Sequence, residues 1–244
     1  METEKIKTTY NELVGNKLQG RYEENRWFRT EQARAGYEMT KDSITRHLLG
    51  GGFSFKSCLE LGPGPGTWTK ILLRHDPEAS FDLVDISSEM LKLAQDNLAG
   101  EENINFFEAD FSTFVPGRKY DLFFSSRAFE YLPDKEGAAG KIMALLENGG
   151  RGFMITKTPK YWRYKIIGRK IPEMHRGQIS PSRLKDILGA LGAGDIEIFP
   201  AIIVVPVFRW VGLNKLIYRF FRGMRLNFLS GFVSESYAVS FKKI

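Results

Sequence analysis

Short apolar runs alternate along this chain with stretches in which apolar residues recur every three or four positions. The runs are typical of strands buried in a parallel sheet, and the stretches are typical of helices that cover such a sheet. Because strand and helix patterns alternate, the chain predicts a doubly wound α/β fold. The predicted strands are Ser57–Leu61, Ser80–Asp85, Asn103–Asp110, Tyr120–Ser126, Arg151–Thr156, Ile196–Phe199 and Ser236–Lys242.

Two segments fall outside this repeat. Residues 1–50 predict two or three helices, which we interpret as an N-terminal helical cap on a domain of residues 51–244, with Tyr22–Phe28 as a candidate lid. Residues of about 200–235 form an apolar and basic insertion before the last strand. Within it, an amphipathic helix is predicted over residues 209–226, with leucine and phenylalanine on one side and basic residues on the other. These basic residues are Lys215, Arg219 and Arg222.

Length and composition are those of one globular domain. The 244 residues are 43% hydrophobic, yet no apolar run approaches the roughly 20 residues that a membrane-spanning helix needs. The N-terminus lacks the apolar region of a secretory signal, and the only cysteine, Cys58, lies within a predicted strand. The sequence therefore predicts a cytoplasmic protein without an internal disulfide.

The net charge of +6 is unevenly distributed. Residues 157–170 hold six basic residues and no acid, and residues 198–234 hold five basic residues and no acid. Segregated positive charge indicates an anionic partner, such as a membrane surface, a phosphorylated substrate or nucleic acid. The apolar bulk of the insertion exceeds what phosphate contacts need, so it favours peripheral contact with the inner face of an anionic membrane, or a lipid substrate, over nucleic acid.

A glycine-rich turn follows the first predicted strand, in the order Glu60, Gly62, Gly64, Gly66. A dinucleotide fingerprint would place a glycine where this chain has Thr67. A carboxylate before the turn would also repel a pyrophosphate and favour a cationic ligand. Asp85 ends the second predicted strand about twenty residues further on, where an acid can accept hydrogen bonds from ribose hydroxyls.

This arrangement resembles motif I of the class I S-adenosylmethionine-dependent methyltransferases. The resemblance covers roughly residues 56–157 and implies S-adenosylmethionine as cofactor and a Rossmann-like seven-stranded sheet of order 3-2-1-4-5-7-6 with strand 7 antiparallel. The sequence lacks the cluster of acids after the fourth strand that metal-dependent catechol-type methyltransferases need, so we expect no metal. The resemblance also implies that Asp110 meets the adenine amino group and that Phe111 lies against the ring. The cofactor-binding set that it implies is Glu60, Gly62, Gly64, Gly66, Asp85, Ile86, Asp110, Phe111 and Ser126.

The absence of certain motifs excludes several classes of methyl acceptor. The stretch after the fourth predicted strand differs from the Asn/Asp-Pro-Pro-aromatic motif of DNA amino-methyltransferases, and Cys58 is misplaced for a carbon-5 pyrimidine enzyme. The remaining resemblance is to small-molecule enzymes of quinone, lipid and lipid-linked sugar biosynthesis, which implies O- or C-methylation of a lipophilic or lipid-linked acceptor. A hydroxyl acceptor needs a base, for which His175 is the first candidate and Glu130 or Tyr131 the next.

Two alternatives stay open at this point. The protein could methylate a soluble metabolite, with residues 200–235 acting as a lid or as a homodimer interface. It could also be a binding module that keeps the fold and the cofactor without catalysing a reaction.

Overall fold

A computed structural model describes residues 3–17, 21–159, 168, 170, 177–205 and 210–244. The seven strands form one sheet of order β3-β2-β1-β4-β5-β7-β6, in which β1 to β5 are parallel and β7 is antiparallel to both neighbours. The predicted fold class and strand order are therefore confirmed. The strands are β1 Ser57–Leu61, β2 Ser80–Asp85, β3 Ile104–Glu108, β4 Tyr120–Ser126, β5 Leu146–Lys157, β6 Ala193–Ile203 and β7 Ser234–Lys243.

Helices cover both faces of the sheet. Most begin at a side chain that caps the free backbone N–H groups of the first turn, as Ser87 does for Met90 and Ser180 does for Arg183. The described helices are α1 Thr3–Glu12, α2 Glu31–Ser43, α3 Thr69–His75, α4 Ser88–Asn97, α5 Lys135–Leu145, α6 Pro181–Ala190, α7 Val211–Phe221 and α8 Phe228–Val233.

The core lies on the two faces of the sheet, because neighbouring strand residues point to opposite sides. Cys58 belongs to the cluster on one face and Leu59 to the cluster on the other. The π-helical turn Ile44–Leu48, which continues α2, buries Ile44 and Leu48 in the first cluster. The predicted N-terminal cap thus shares a hydrophobic core with the sheet.

Strand β6 is longer than predicted. It runs through Pro200 to Ile203, although Pro200 has no N–H to donate to a neighbouring strand. The strand tolerates this residue because β6 lies at the edge of the sheet, where β7 is its single neighbour.

The amphipathic helix predicted over 209–226 is shorter in the structure, where α7 spans Val211–Phe221. This helix contacts α2 in part through polar side chains: the Tyr218 hydroxyl donates to the Met39 carbonyl, and Asn214 is fully buried. Lys215 pairs with Glu38, and Arg222 pairs with Asp42. The predicted basic face is therefore largely neutralised by the protein itself.

Val211, Ile217 and Phe221 pack against the core next to α2, whereas other large apolar side chains of this region point outward. We call them the exposed apolar surface: Trp210, Leu216, Phe220, Met224, Phe228, Leu229 and Phe232. The side chain of Phe228 is 88% exposed.

Asp82 is a buried acid that joins the strands at the edge opposite β6. Its carboxylate accepts hydrogen bonds from Asn105, Arg118 and Tyr120, at 2.6–3.1 Å. Burial alone would raise the pKa of Asp82, but the hydrogen bonds from Tyr120, Asn105 and Arg118 outweigh it and hold the pKa below its usual range. A depressed folded-state pKa means that this stabilisation is present above the unfolded pKa and is lost as the pH falls through the folded pKa.

We expect Asp82→Ala to lower the free energy of unfolding by about 2–4 kcal/mol near neutral pH, because the partners of the carboxylate stay behind unsatisfied. Urea denaturation measures the loss, and Asp186→Ala, at an exposed position on α6, is the matched control. The difference between wild type and Asp82→Ala should shrink as the pH falls below about 4. Equal losses for the two variants would contradict this role of Asp82.

Candidate active site

The turn after β1 has a left-handed backbone at three glycines, Gly62, Gly64 and Gly66, with φ of +67°, +56° and +78°. A Cβ on Gly62 would lie 2.3 Å from the Ala128 Cβ, and one on Gly66 would lie 2.9 Å from Leu98 Cδ1. A Cβ on Gly64 would meet nothing within 4 Å. Packing therefore requires the outer two glycines, whereas the middle one exposes its backbone to open space.

That open space is a cavity of about 340 Å³ at the carboxyl edge of the parallel strands. Its volume lies in the range of small-molecule sites. Eight of the candidate residues line it: Gly62, Gly64, Asp85, Ile86, Asp110, Phe111, Ser126 and Tyr131. Three candidates, Glu60, Gly66 and Glu130, lie outside its lining, and His175 lies outside the described residues.

Glu60 lies beneath the glycine turn rather than on the cavity wall. Its side chain is almost fully buried, and its Oε2 accepts a hydrogen bond of 2.8 Å from the Thr69 hydroxyl. Burial raises the pKa of Glu60 to about 8, against the opposing effect of the Thr69 hydrogen bond. The carboxyl group is thus protonated near neutral pH, which differs from the ligand-facing carboxylate that the sequence predicts.

Asp85 lies between the turn and the cavity. Burial raises its pKa to about 6, and hydrogen bonds from the backbone of Ser87, Gly64 and Ile86 oppose that rise. The Ser87 N–H donates to Asp85 Oδ1 at 2.9 Å. Asp85 therefore has two roles: its hydrogen bonds fix the shape of the turn, and its carboxyl group lines the cavity.

The N-terminal segment forms a roof over the cavity. Trp27, from the π-helical turn Glu24–Phe28, packs edge-on against Trp68, and the Thr67 hydroxyl donates to Glu23 Oε1 at 2.9 Å. On the other side, the Ser87 hydroxyl donates to Asn11 Oδ1 at 2.6 Å. The candidate lid over Tyr22–Phe28 does contribute Tyr22, Arg26 and Trp27 to the lining.

Glu130 anchors the ends of β4 and β5. Its Oε2 accepts hydrogen bonds from the Lys157 backbone N–H at 3.0 Å, from Thr156 Oγ1 at 3.3 Å and from Arg127 Nε at 3.2 Å. Arg127 has a φ of +70°, an uncommon conformation for a residue with a side chain. Its Nη1 also donates to Ser236 Oγ at 3.2 Å, which ties β7 to the same point.

The cavity residues that were missed as candidates from the sequence include Tyr10, Arg127 and Lys157. The Tyr10 hydroxyl donates to the Tyr131 hydroxyl at 3.1 Å, a contact that joins α1 to the turn after β4. Arg127 directly follows β4, and Lys157 is the last residue of β5. Their places at the ends of adjacent parallel strands are a signal that could have identified both.

Part of the chain is similar to known methyltransferases. Residues 58–150 match the family model described as a methyltransferase domain. The same part of the chain is 35% identical over 94 residues to malonyl-[acyl-carrier protein] O-methyltransferase 2 of Ilyobacter polytropus. This alignment covers 38% of this chain and 36% of that protein. It is 33% identical over 91 residues to a trans-aconitate 2-methyltransferase of Rhodopseudomonas palustris, covering 37% and 34%. The match therefore spans only about a third of these relatives.

Solved structures resemble the whole chain in fold. Magnesium protoporphyrin IX methyltransferase of Synechocystis PCC 6803, solved with bound S-adenosylhomocysteine, aligns with a TM-score of 0.64 and 18% identity over 98% of this chain and 100% of its own. The N-methyltransferase NodS of Bradyrhizobium japonicum, also with S-adenosylhomocysteine, aligns with a TM-score of 0.59 and 12% identity over 91% of both chains.

We expect Glu60→Gln to stabilise the ligand-free protein at pH 8 by about 2–4 kcal/mol relative to its effect at pH 4.5. A raised folded-state pKa means that wild-type stability declines as the pH rises from the unfolded pKa of 4.5 towards about 8, and glutamine has no proton to hold. Thermal unfolding of both proteins across this range measures the effect. A difference that stays constant with pH would show that the Glu60 pKa is unperturbed.

The strand order, the glycine turn and the match over 58–150 agree with one another. They show that residues 58–150 match a methyltransferase domain and that the described chain has the class I methyltransferase fold.

Proposed function

We propose that this chain is an S-adenosylmethionine-dependent methyltransferase that methylates oxygen or carbon of a small lipophilic or lipid-linked acceptor at or near a membrane surface. One observation carries the proposal. A single cavity brings together the open backbone at Gly64 and the acids Asp85 and Asp110, which lie at the carboxyl ends of β2 and β3.

The cofactor end of the cavity fits S-adenosylmethionine. In this proposal the Gly64 backbone approaches the amino-acid part, Asp85 accepts hydrogen bonds from the ribose hydroxyls, and Asp110 and Phe111 hold the adenine. The missing Cβ at Gly64 leaves the space that such a close approach needs. When bound, the cofactor supplies an electrophilic methyl group on a sulfonium.

The chain itself contributes position and exclusion of water. Ser126 and Tyr131 lie where β4 ends, and Trp27, Leu132 and Ile6 give the cavity apolar walls. Holding an acceptor in line and stripping water from it together lower the barrier to a displacement at carbon.

A hydroxyl acceptor must also lose a proton. Glu130 is buried and fully engaged with Arg127 and the backbone of β5, so we do not propose it as the base. Burial raises the pKa of Tyr131, which keeps its hydroxyl protonated near neutral pH. His175 stays a prediction, outside the described residues.

The position of the exposed apolar surface supports the proposal of a lipophilic acceptor and of contact with a membrane. β7 begins and β6 ends at the edge of the sheet where Lys157 ends β5, since Ser236 pairs with Lys157 and Ser234 with Ile203. The connection that carries the exposed apolar surface therefore leaves the sheet at the same edge as the cavity. No helix in the described part of the chain is long and apolar enough to cross a membrane.

A soluble acidic acceptor is the second candidate. The two relatives above are named for a malonyl group on an acyl-carrier protein and for trans-aconitate, and both names denote carboxylic acids. In this alternative the exposed apolar surface is a lid or an interface with a second copy of the chain.

We expect Gly64→Ala to weaken binding of S-adenosylhomocysteine by at least about tenfold, because the new methyl group would occupy the space next to the turn. Isothermal titration measures the change. Gly51→Ala is the matched control, because Gly51 also has a positive φ, +73°, and open space around it, but lies away from the cavity.

Both alanine variants should lose about 1 kcal/mol of stability from the left-handed backbone. Only Gly64→Ala should lose affinity. The absence of binding by the wild-type chain would refute the proposed cofactor, and equal affinities of the two variants would refute the role of Gly64.

We expect the protein to float with vesicles of phosphatidylcholine and phosphatidylglycerol, and the triple variant Leu216→Ser, Phe220→Ser, Phe228→Ser to remain at the bottom of the gradient. Each of these side chains is exposed, and burying one in a bilayer contributes about 1.5–3 kcal/mol. Because Lys215 and Arg222 are already paired, apolar contact should dominate over charge.

The control for flotation is Val115→Ser with Leu191→Ser, two exposed apolar positions outside the exposed apolar surface. This double variant should float like wild type. If the wild type does not float, the second candidate is favoured, and light scattering then distinguishes a dimer from a monomer.

A further inference from the structure

Acidic and basic side chains line opposite sides of the cavity because they follow different strands of the sheet. The acids of its lining, Asp85 and Asp110, follow β2 and β3, on one side of the glycine turn. Two of its three cations, Arg127 and Lys157, lie at the ends of β4 and β5, on the other side of β1. The third, Arg26, projects from the roof. The part of the cavity left for the acceptor is therefore lined by positive charge.

Much of this positive charge lacks an ion-pair partner among the described residues, although the Arg26 guanidinium lies over the Trp27 ring, 4.5 Å from its centroid. Arg127 is paired with Glu130. In the ranges that the structure describes, however, no carboxylate lies within ion-pair distance of the Lys157 ammonium or of the Arg26 guanidinium. Glu235 and Glu130 attract Lys157 from a greater distance. Partial burial lowers the pKa of Lys157, and repulsion by Arg127 and Arg26 adds to this effect, so the surroundings disfavour its charge until an anion arrives.

Hydroxyl groups complete this end of the cavity. The Tyr10 hydroxyl donates to the Tyr131 oxygen, which leaves the Tyr131 proton available for a further hydrogen bond. Tyr22 lines the same region from the roof. Burial raises the pKa of Tyr10, Tyr22 and Tyr131, so all three remain donors near neutral pH. Cations and neutral hydroxyl donors around one space are what a carboxylate or phosphate requires.

The backbone at this point supports a ligand-binding role. Arg127 is held in a left-handed conformation by its N–H, which donates to the Ile155 carbonyl at 2.8 Å, and by its contacts with Glu130 and Ser236. Such strain persists only where surrounding contacts enforce it, and it is frequent at functional sites. Here it keeps the guanidinium beside Lys157.

We propose that the acceptor carries an anionic group, a carboxylate or a phosphate, which Lys157, Arg26 and Tyr131 bind at the ends of β4 and β5. The inference rests on the proposed function, because the cofactor end of the cavity defines the acceptor end. It adds the chemical class of the acceptor: an acid, with its apolar part against Trp27, Leu132 and Pro133.

The test uses the protein saturated with S-adenosylhomocysteine. Decanoate, decyl phosphate, decanol and acetate are titrated below their micellar concentrations, and heat release gives each affinity. We expect decanoate or decyl phosphate to bind at least about tenfold more tightly than decanol. The better of the two anions identifies carboxylate or phosphate, and acetate that binds as well as decanoate assigns the subsite to a soluble acid.

Lys157→Met should lower the affinity for the anion about tenfold and should keep the affinity for decanol within about twofold of the wild-type value. Lys185→Met, at an exposed position on α6, is the matched control and should change neither. Arg26→Met, at an exposed side chain of the roof, tests the subsite if Lys157→Met does not fold, and should weaken anion binding by about threefold or more.

Decanol that binds as tightly as the anions, or the absence of binding by any of them, overturns the inference. So does an anion affinity that survives both substitutions. The preliminary titration with S-adenosylhomocysteine separates this failure from that of the proposed function: cofactor binding without anion preference refutes the anionic subsite alone.

Discussion

Parallel pairing of β1 to β5 is the constraint on which the rest of this structure depends. Strands that run in one direction end at one edge of a sheet, so residues far apart in the chain are brought together without any contact of their own. The turn at Gly62–Gly66, Asp85, Asp110, Ser126 and Lys157 all meet at that edge for this reason. The buried Glu130 then joins the ends of β4 and β5, and its charge offsets the repulsion between Arg127 and Lys157.

Burial also affects the protonation of the two acids at the glycine turn. Glu60 and Asp85 both have raised pKa values because burial penalises their charge. A cationic ligand in the cavity would favour ionisation of Asp85, so ligand binding and proton release are coupled at this site. The acid beneath the turn and the acid on the wall thus have separate roles: Glu60 supports the turn from below through Thr69, and Asp85 faces the ligand space.

Most of the fold could be predicted from the sequence because buried parallel strands are continuous apolar runs. What could not be predicted depends on contacts between distant segments. Tyr218 is buried because its hydroxyl reaches Met39, and no periodicity within α7 reveals that contact. Pro200 falls within a strand because β6 is an edge, a property of strand order rather than of local sequence. The acids of the cavity were found because a motif marks them, whereas Arg127 and Lys157 belong to no motif and needed the rule that strand ends converge.

The roof has a consequence for how this protein could change over evolutionary time. The family match begins at residue 58, yet Ile6, Tyr10, Tyr22, Arg26 and Trp27 line the cavity from before that point. The stretch that resembles other methyltransferases holds the turn and the acids, and the cations at the acceptor end are shared between that stretch, the roof and the end of β5. Substitutions in the first fifty residues can therefore reshape the acceptor end while the glycine turn stays intact. In the proposed function, acceptor selectivity thus depends on residues inside and outside the family match, whereas the glycine turn lies wholly inside it.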